Sequence, residues 1–499
     1  MKSSNESTTL SEAHSADAAT DFSPTPLLEA FDNFQGSFFD LDRDTSVSAE
    51  ELKNLKTQLR KQMSARGLTA GDRLLAALPN GPLFAAVWAA SLEVGASPIL
   101  VHGETPQPEL HRVAAQWEVH FLVAEAEASH AKSARADEFL TAGEHGTLRW
   151  QHAGGRSGQG DQVRLASVPL HPTSGTSAAP KLAARPGSCA VAEPLHYIET
   201  LSIDCSDAIL CAIPMSHAYA YGMCFMVALL TSANLLFMRR FSPALVHQAL
   251  EKGDVTIFPA VPILLDSLLA ADAAHQMVGL RILLSAGAPL TRRTFEAIHD
   301  RYGIAIRPLY GTTETGGISI GLAGDEFDGS VGPAMKGVEV DLRSSSSEDS
   351  SADAKILRVR SSSMMAGYLE KEGISRRALS NGWFETGDLA QTDERGRISL
   401  LGRLSEVINV FGFKVIPREV EGVIALLPEV VEVKVYARHH MGPAVVAAAV
   451  VRRGTLDEEQ ILRHCEKHLV SYKCPTTVRF VDSLPRTSSG KVALDRLPR

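Results

Sequence analysis

The sequence predicts an α/β fold in two units, and three observations carry that prediction. Short apolar runs alternate with longer helix-periodic stretches, from about Leu27 to Ala126 and again beyond residue 181. This is the pattern of a largely parallel sheet with helices on its faces. Two of the later apolar runs end in proline or glycine turns, at the strand ends where α/β sheets usually bind ligands. Past about residue 417 the elements shorten: a helix near 417–426, strands near 430–437 and 443–451, and a helix near 457–469. That reads as a small α+β unit of its own, and 499 residues leave room for more than one domain.

The elements follow in order. Ser48 to Arg66 is charged and periodic, with Ser48 as the cap and Glu51 three residues on, the signature of a capping box. Gly71-Asp72 turns into the strand Arg73–Leu78. A helix over 83–94 and a strand over Ser97–Val101 come next, and the Gly/Ser/Gln-rich stretch 151–161 is a loop. Ala208–Pro214 is a strand that ends at its proline, and residues 255–258 and 281–285 are further strands. Tyr221 to Met238 carries no charge and is long enough on paper to span a membrane. Thr231, Ser232 and Asn234 interrupt it, and no basic flank precedes it, so it reads as a buried helix running into a buried strand.

Composition narrows the function classes. A hydrophobic share of 44% with 21% charged residues is that of an ordinary globular chain. The net charge of −9 gives no basic footprint for nucleic acid. Six scattered cysteines form no Cys-x-x-Cys pair and read as free buried thiols in a reducing, cytoplasmic setting. No clustered metal-ligand motif is present. Residues 1–24 lack the apolar segment of a signal peptide and read as a disordered tail.

The chemistry is concentrated in short motifs. Thr173-Ser174-Gly175-Thr176-Ser177-Ala178-Ala179-Pro180-Lys181 combines small residues, hydroxyl donors and a lysine. It is suited to a triphosphate but lacks Walker spacing, and alone it also fits a plain surface loop. His217 follows the end of a buried strand, where either a ligand contact or a satisfied core histidine fits. Gly287-Ala288-Pro289 makes a tight turn after a strand. Tyr310-Gly311-Thr312-Thr313-Glu314-Thr315-Gly316-Gly317 offers a ring to stack on a base, hydroxyls for phosphate and a carboxylate for a hard cation. Asp388 follows a glycine, where its carboxylate can accept both hydroxyls of a ribose. The Ser/Asp/Glu run at 343–354 reads as a solvated loop.

Taken together, TSGTSAAPK, SAGAPL, YGTTETGG, GWFETGDL, GRLSEVINVFGFKVIPREVE and PRTSSGK resemble, in order and spacing, the adenylate-forming superfamily. This group comprises acyl- and aryl-CoA synthetases, peptide-synthetase adenylation domains and beetle luciferases. The resemblance runs from about residue 27 to the end of the chain. It implies a large N-terminal domain of layered αβ sheets over 25–402, and a small mobile α+β domain over 403–499. It also implies the reaction: a carboxylic acid and MgATP give an acyl-adenylate and pyrophosphate, and a thiol then takes the acyl group.

The residue roles come from the same resemblance. Thr173, Ser174, Gly175, Thr176, Ser177 and Lys181 match the loop over the β- and γ-phosphates. Gly287, Ala288 and Pro289 match the wall against adenine and Tyr310 the stacking ring, with Gly311 and Thr312 beside it. Thr313 matches the α-phosphate contact and Glu314 the Mg²⁺ ligand. Asp388 and Arg403 match the ribose pair, and Lys491 the lysine between the acid and the α-phosphate. His217 matches the aromatic or histidine at the mouth of the acyl pocket.

Three positions depart from the pattern. Ala178 and Leu182 stand where glycines are usual, and Ser405 stands at the hinge in place of Asp or Lys. They leave open a weakened ligand-binding or scaffolding protein on the same fold. Residues 211–224 hold no acidic partner for an α-ammonium, so amino acids rank low. Tyr219, Tyr221, Met223 and Phe225 suit an aryl or medium acyl group, if they are not simply core side chains. The acceptor is coenzyme A or an acyl carrier protein's phosphopantetheine acting in trans, and Lys414 and Arg418 can meet the phosphates of either.

Overall fold

The structure is a computed structural model and describes residues 22–126, 139–154, 167–173, 180–271, 276–344, 355–371, 373–410, 413–438, 444–486 and 492–498. Two large sheets build the N-terminal domain. The first has eight strands in the spatial order 316–320, 306–312, 282–285, 257–260, 208–211, 234–237, 37–40 and 45–48. Its interior pairs are all parallel, for example Ile209 with both Leu235 and Ile257, and only its edges turn antiparallel. The second has nine strands, with the parallel trio 73–78, 97–102 and 121–125 near its centre. Strands buried on both faces read as unbroken apolar runs, which is why Leu74 to Leu78 is apolar at every step.

Local chemistry explains the element ends. The helix Ala49–Ala65 starts at Ser48 with a complete capping box to Glu51, as the spacing predicts. The helix Pro82–Val94 has a proline in its first turn and Gly95 in the left-handed region at its end. The uncharged stretch after residue 220 is a π-helical turn, Tyr221–Met226, a short helix, Val227–Thr231, and the strand Asn234–Phe237. Among the described residues no helix is long and apolar enough to cross a membrane.

A third sheet, of five strands, ends with Ile398–Arg403 paired to Trp383–Thr392. The C-terminal unit follows. It has a hairpin of Ile408–Val410 and Phe413–Val415, a three-stranded sheet, and the helices Pro417–Ile424 and Glu458–His468. Its own core gathers Ile408, Val420, Val435, Val450 and Ile461, apart from the large core of the N-terminal domain.

Two expectations need correction. The tail does not extend through residue 24: Pro24 caps the helix Thr25–Asn33, and Phe22 packs partly buried against the apolar cluster around Leu75 and Ile99. Residues 1–21 lie outside the description, as do 345–354 of the Ser-rich loop. The cysteines are free, but Cys205 is exposed and Cys189 and Cys474 are only partly buried.

Candidate active site

The phosphate-loop motif lies between the strands Leu170–Pro172 and Leu182–Ala184, which pair antiparallel. Its described ends close on each other: Thr173 N–H donates to the Lys181 carbonyl at 2.8 Å. Ser174, Gly175, Thr176, Ser177 and Ala178 fall outside the described residues. Leu182 needs no glycine-like freedom, because it sits in the strand with its side chain buried in the core.

Lys181 reaches out of this loop over the ring of Tyr368, its Nζ 4.7 Å from the centroid. The Tyr368 hydroxyl donates to Glu314 Oε1 at 2.6 Å. Burial and that carboxylate both push the phenol well above its ordinary range, so it stays a donor. The backbone N–H of Met365 donates to the Glu314 carbonyl at 2.7 Å, which fixes the residue further.

Glu314 and Thr313 are half-buried in the turn between the strands Ile306–Thr312 and Gly316–Ile320. Gly316 has φ near +73°, which permits this tight reversal. Thr312 and Thr315 bond each other across the turn at 3.0 Å. Tyr310, on the incoming strand, is buried and donates its hydroxyl to Asp388 Oδ2. Asp388 Oδ1 faces Arg403 Nε at 2.7 Å, and the two residues are paired across adjacent strands.

The strand Ile282–Ser285 delivers Gly287, Ala288 and Pro289 to the surface, with Gly287 at φ +81°. The Ser285 hydroxyl beneath them is buried without a hydrogen-bond partner. His217 is exposed and caps the next turn, its Nδ1 accepting from the Tyr219 N–H at 3.4 Å. Tyr219 is buried with no partner for its hydroxyl.

Tyr221 is wholly buried and its ring lies 4.6 Å from that of His171. Met223 and Phe225 are wholly buried too, and Phe225 stacks edge-on against Phe84 and Trp88, so these two are core side chains. His171 is buried with both ring nitrogens unpartnered. Burial, with Arg185 and His217 nearby, lowers its pKa to about 3, so it is neutral.

The C-terminal unit meets this site at Arg403. Past it, Leu404–Glu406 forms a single turn in which Leu404 and the central Ser405 are exposed and Glu406 is half-buried. Glu406 then binds Lys434 Nζ at 2.9 Å, and Glu421 joins the same ammonium at 3.2 Å. Arg418 lies half-buried; burial lowers its pKa, partly offset by Glu421 and Asp388. Lys491 lies outside the described residues. Arg486 and Val492, on either side of its loop, are bridged antiparallel.

Sequence reasoning missed Arg185 and Glu193. Both are fully buried and joined at 2.5 Å. The one available signal was an arginine directly after an apolar strand with no polar alternation.

The geometry suits a nucleotide with its metal. Among the described residues no group of three metal-binding side chains forms. A lone carboxylate beside a phosphate loop fits Mg²⁺, which takes most of its ligands from phosphates and water.

Comparison with known proteins points the same way. The family model described as AMP-binding enzyme matches residues 29–369, and that of the AMP-binding enzyme C-terminal domain matches 419–491. 4-Coumarate–CoA ligase 1 of Oryza sativa subsp. japonica is 26% identical over 463 residues, covering 85% of this chain and 82% of the other. 2-Succinylbenzoate–CoA ligase of Bacillus mycoides is 31% identical over 301 residues, 57% of this chain and 60% of the other. O-succinylbenzoate coenzyme A synthetase of Bacillus subtilis, solved with ATP and magnesium ion, superposes with a TM-score of 0.77 at 22% identity. That match covers 94% of this chain and 98% of that one, a likeness of fold.

Proposed function

The chain belongs to the family of AMP-binding enzymes, and from that premise we propose how its residues divide an acid–thiol ligation among themselves. The enzyme is an AMP-forming ligase that uses ATP and Mg²⁺. It activates a carboxylic acid to an acyl-adenylate with release of pyrophosphate, and then passes the acyl group to a thiol.

One observation carries the assignment of roles. Lys181, Tyr368 and Glu314 touch in series, and Glu314 shares its strand-turn with Tyr310, which bonds Asp388, which pairs with Arg403. Residues scattered over half the sequence thus form two contact series that share one strand-turn. In this reading Lys181, Thr173 and the loop hydroxyls receive the β- and γ-phosphates, and Thr313 receives the α-phosphate. Glu314 is the residue that holds Mg²⁺, which neutralises phosphate charge. Gly287, Ala288 and Pro289 flank the adenine beside Tyr310, whose hydroxyl also orients Asp388 for the ribose. Lys491 supplies the cation between the acid's carboxylate and the α-phosphate, where two anions are pressed together.

The acid lies against His217 and Tyr219, with Tyr221 behind them. An aryl acid is favoured over a medium acyl chain by this aromatic lining, and the two ligase relatives are named for aryl acids. Coenzyme A is the proposed acceptor, as it is in those names, and the cytoplasm is the proposed location, in keeping with free cysteines. The test is pyrophosphate release from ATP·Mg²⁺ with a panel of aryl, medium acyl and amino acids, followed by thioester formation with coenzyme A or a phosphopantetheinylated carrier. Release with aryl acids and transfer to coenzyme A is expected. ATP bound without release for any acid would sink the catalytic reading.

A further inference from the structure

The turn after His217 and Tyr219 and the turn that carries Glu314 both close on one buried charge pair. Glu193 stands on the helix Gly187–Leu201 and is 2% exposed; Arg185, just after the strand that begins beyond Lys181, is 0% exposed. Arg185 Nη1 binds Glu193 Oε2 at 2.5 Å, and its Nη2 donates to the Ser363 carbonyl at 3.0 Å. The Ser363 hydroxyl in turn donates to the Thr315 carbonyl at 2.7 Å, inside the turn that carries Thr313 and Glu314. Tyr197, one helical turn along from Glu193, donates to its Oε1 at 3.4 Å.

Three glycines show how closely the surroundings press on this carboxylate. A Cβ on Gly222, in the turn that follows His217 and Tyr219, would stand 2.4 Å from Glu193 Cδ. A Cβ on Gly316 would stand 2.6 Å from the same atom, and one on Gly317 would stand 2.5 Å from the Tyr197 hydroxyl. Glu193 is thus clasped between the acid-side turn and the Glu314 turn. Ordinarily a glutamate swings away from an added methyl group. Here the swing would pull a buried carboxylate off its guanidinium, which is strongly disfavoured.

We infer that Glu193, held by Arg185, is a positioning residue that fixes the acid-side turn and the ATP-side turn relative to each other. Occupancy of one substrate wall is therefore felt at the other. The inference rests on the proposed function for which wall takes which substrate. It requires that a change on the acid side alter ATP binding without touching any ATP contact.

Gly222→Ala is the test, because Gly222 lies within the helical turn Tyr221–Met226 and is not among the positive-φ glycines, so its backbone conformation does not itself exclude alanine. The readout is ATP·Mg²⁺ affinity by calorimetry, with far-ultraviolet circular dichroism as the check on folding. Gly222→Ala should weaken ATP roughly tenfold, a usual size for coupling between contacting groups. Gly222→Ala with Glu193→Asp, which shortens the carboxylate by one methylene, should restore the affinity to within about threefold. Rescue of this kind is not expected of general destabilisation.

Unchanged ATP affinity in Gly222→Ala, or additive losses in the double variant, would overturn the inference. If Gly222→Ala does not fold, Ser363→Ala serves: it keeps both charges and removes the hydroxyl's bonds to the Thr315 carbonyl and to the Ser361 hydroxyl, with Ser361→Ala as the control for the second. Ser363→Ala should weaken ATP about threefold more than Ser361→Ala does, the loss of one ordinary hydrogen bond, and equal effects would overturn the inference. If the unmodified chain fails to bind ATP·Mg²⁺, the proposed function falls first and takes this inference with it.

Discussion

The two sides of the site are built in opposite ways. On the N-terminal side, Tyr310, Asp388, Thr315 and Ser363 are buried, and their polar groups are committed to neighbours before any substrate arrives. On the C-terminal side, the unit with its own core follows a short turn whose Leu404 and Ser405 are exposed, and it meets the N-terminal domain through a small apolar cluster of Ile356, Leu389, Val407 and Ile416. The first arrangement suits binding that must be the same in every step. The second suits a group needed in one step only. Ground-state contacts and transition-state contacts are thus expected to separate along the chain.

The sharpest break in that comparison is Lys491→Ala. It should cost adenylation roughly 3–4 kcal/mol, on the order of 10² to 10³ in rate, as loss of one preorganised cation does. Transfer from a supplied acyl-adenylate should change by less than about tenfold. Pyrophosphate release and thioester formation measure the two separately. Equal losses would mean that the whole C-terminal unit is disturbed.

Asp388→Ala tests the opposite side. A charged hydrogen bond made equally in ground and transition states should appear in KM, raising that for ATP by about 10- to 100-fold with kcat little changed. An unchanged KM for ATP would remove Asp388 from the ribose site.

Acid titration gives a smaller effect. The pKa of His171 is depressed from 6.5 to about 3 in the folded chain, so the unfolded chain binds the extra proton. Its contribution to stability is present above pH 6.5 and falls as the pH drops toward about 3, at no more than about 1.4 kcal/mol per unit. Thermal melts of His171→Phe should show a shallower acid slope than the unmodified chain. Parallel slopes would assign the effect elsewhere.

Limited trypsin digestion changes no rate but locates the joint. Arg403 has its side chain 45% exposed and should be cut, whereas Lys56, buried within the helix Ala49–Ala65, should resist. Survival of the Arg403 bond while exposed Arg395 is cut would argue against an open joint. Protection of that bond by acyl-adenylate would tie the joint to the reaction cycle.

Much of this was legible in the sequence because it is local. Ser48 with Glu51, Gly71-Asp72 before Arg73, and the proline and glycine turns each act within a few residues. The ordered motifs located Tyr310, Asp388 and Arg403, which touch in series, and Glu314, which Tyr368 bonds. The rest depends on chain crossings that no window of sequence contains. Tyr310 reads as a stacking ring, yet its hydroxyl is spent on a carboxylate far along the chain. Tyr368 joins Lys181 to Glu314 only because the strand Gly367–Glu370 pairs with Leu182–Ala184. Arg185 looks like a surface charge until the helix carrying Glu193 packs across it.

Arg403 is tied backward to Asp388, and Glu406 is tied forward to Lys434. Between those clamps stand only Leu404 and Ser405, and a small apolar cluster of Ile356 and Leu389 with Val407 and Ile416 packs across the same junction. Were the two bodies to turn on one another, that cluster would have to part and the four backbone torsions of Leu404 and Ser405 would take up the change. Distant atoms would then follow an arc set by those few torsions. Residue choice at 404 and 405 would then govern how many resting angles exist and how often the arc is crossed. Proline at 405 would narrow the choice of angles and glycine would multiply it, with the binding surfaces on either side left as they are.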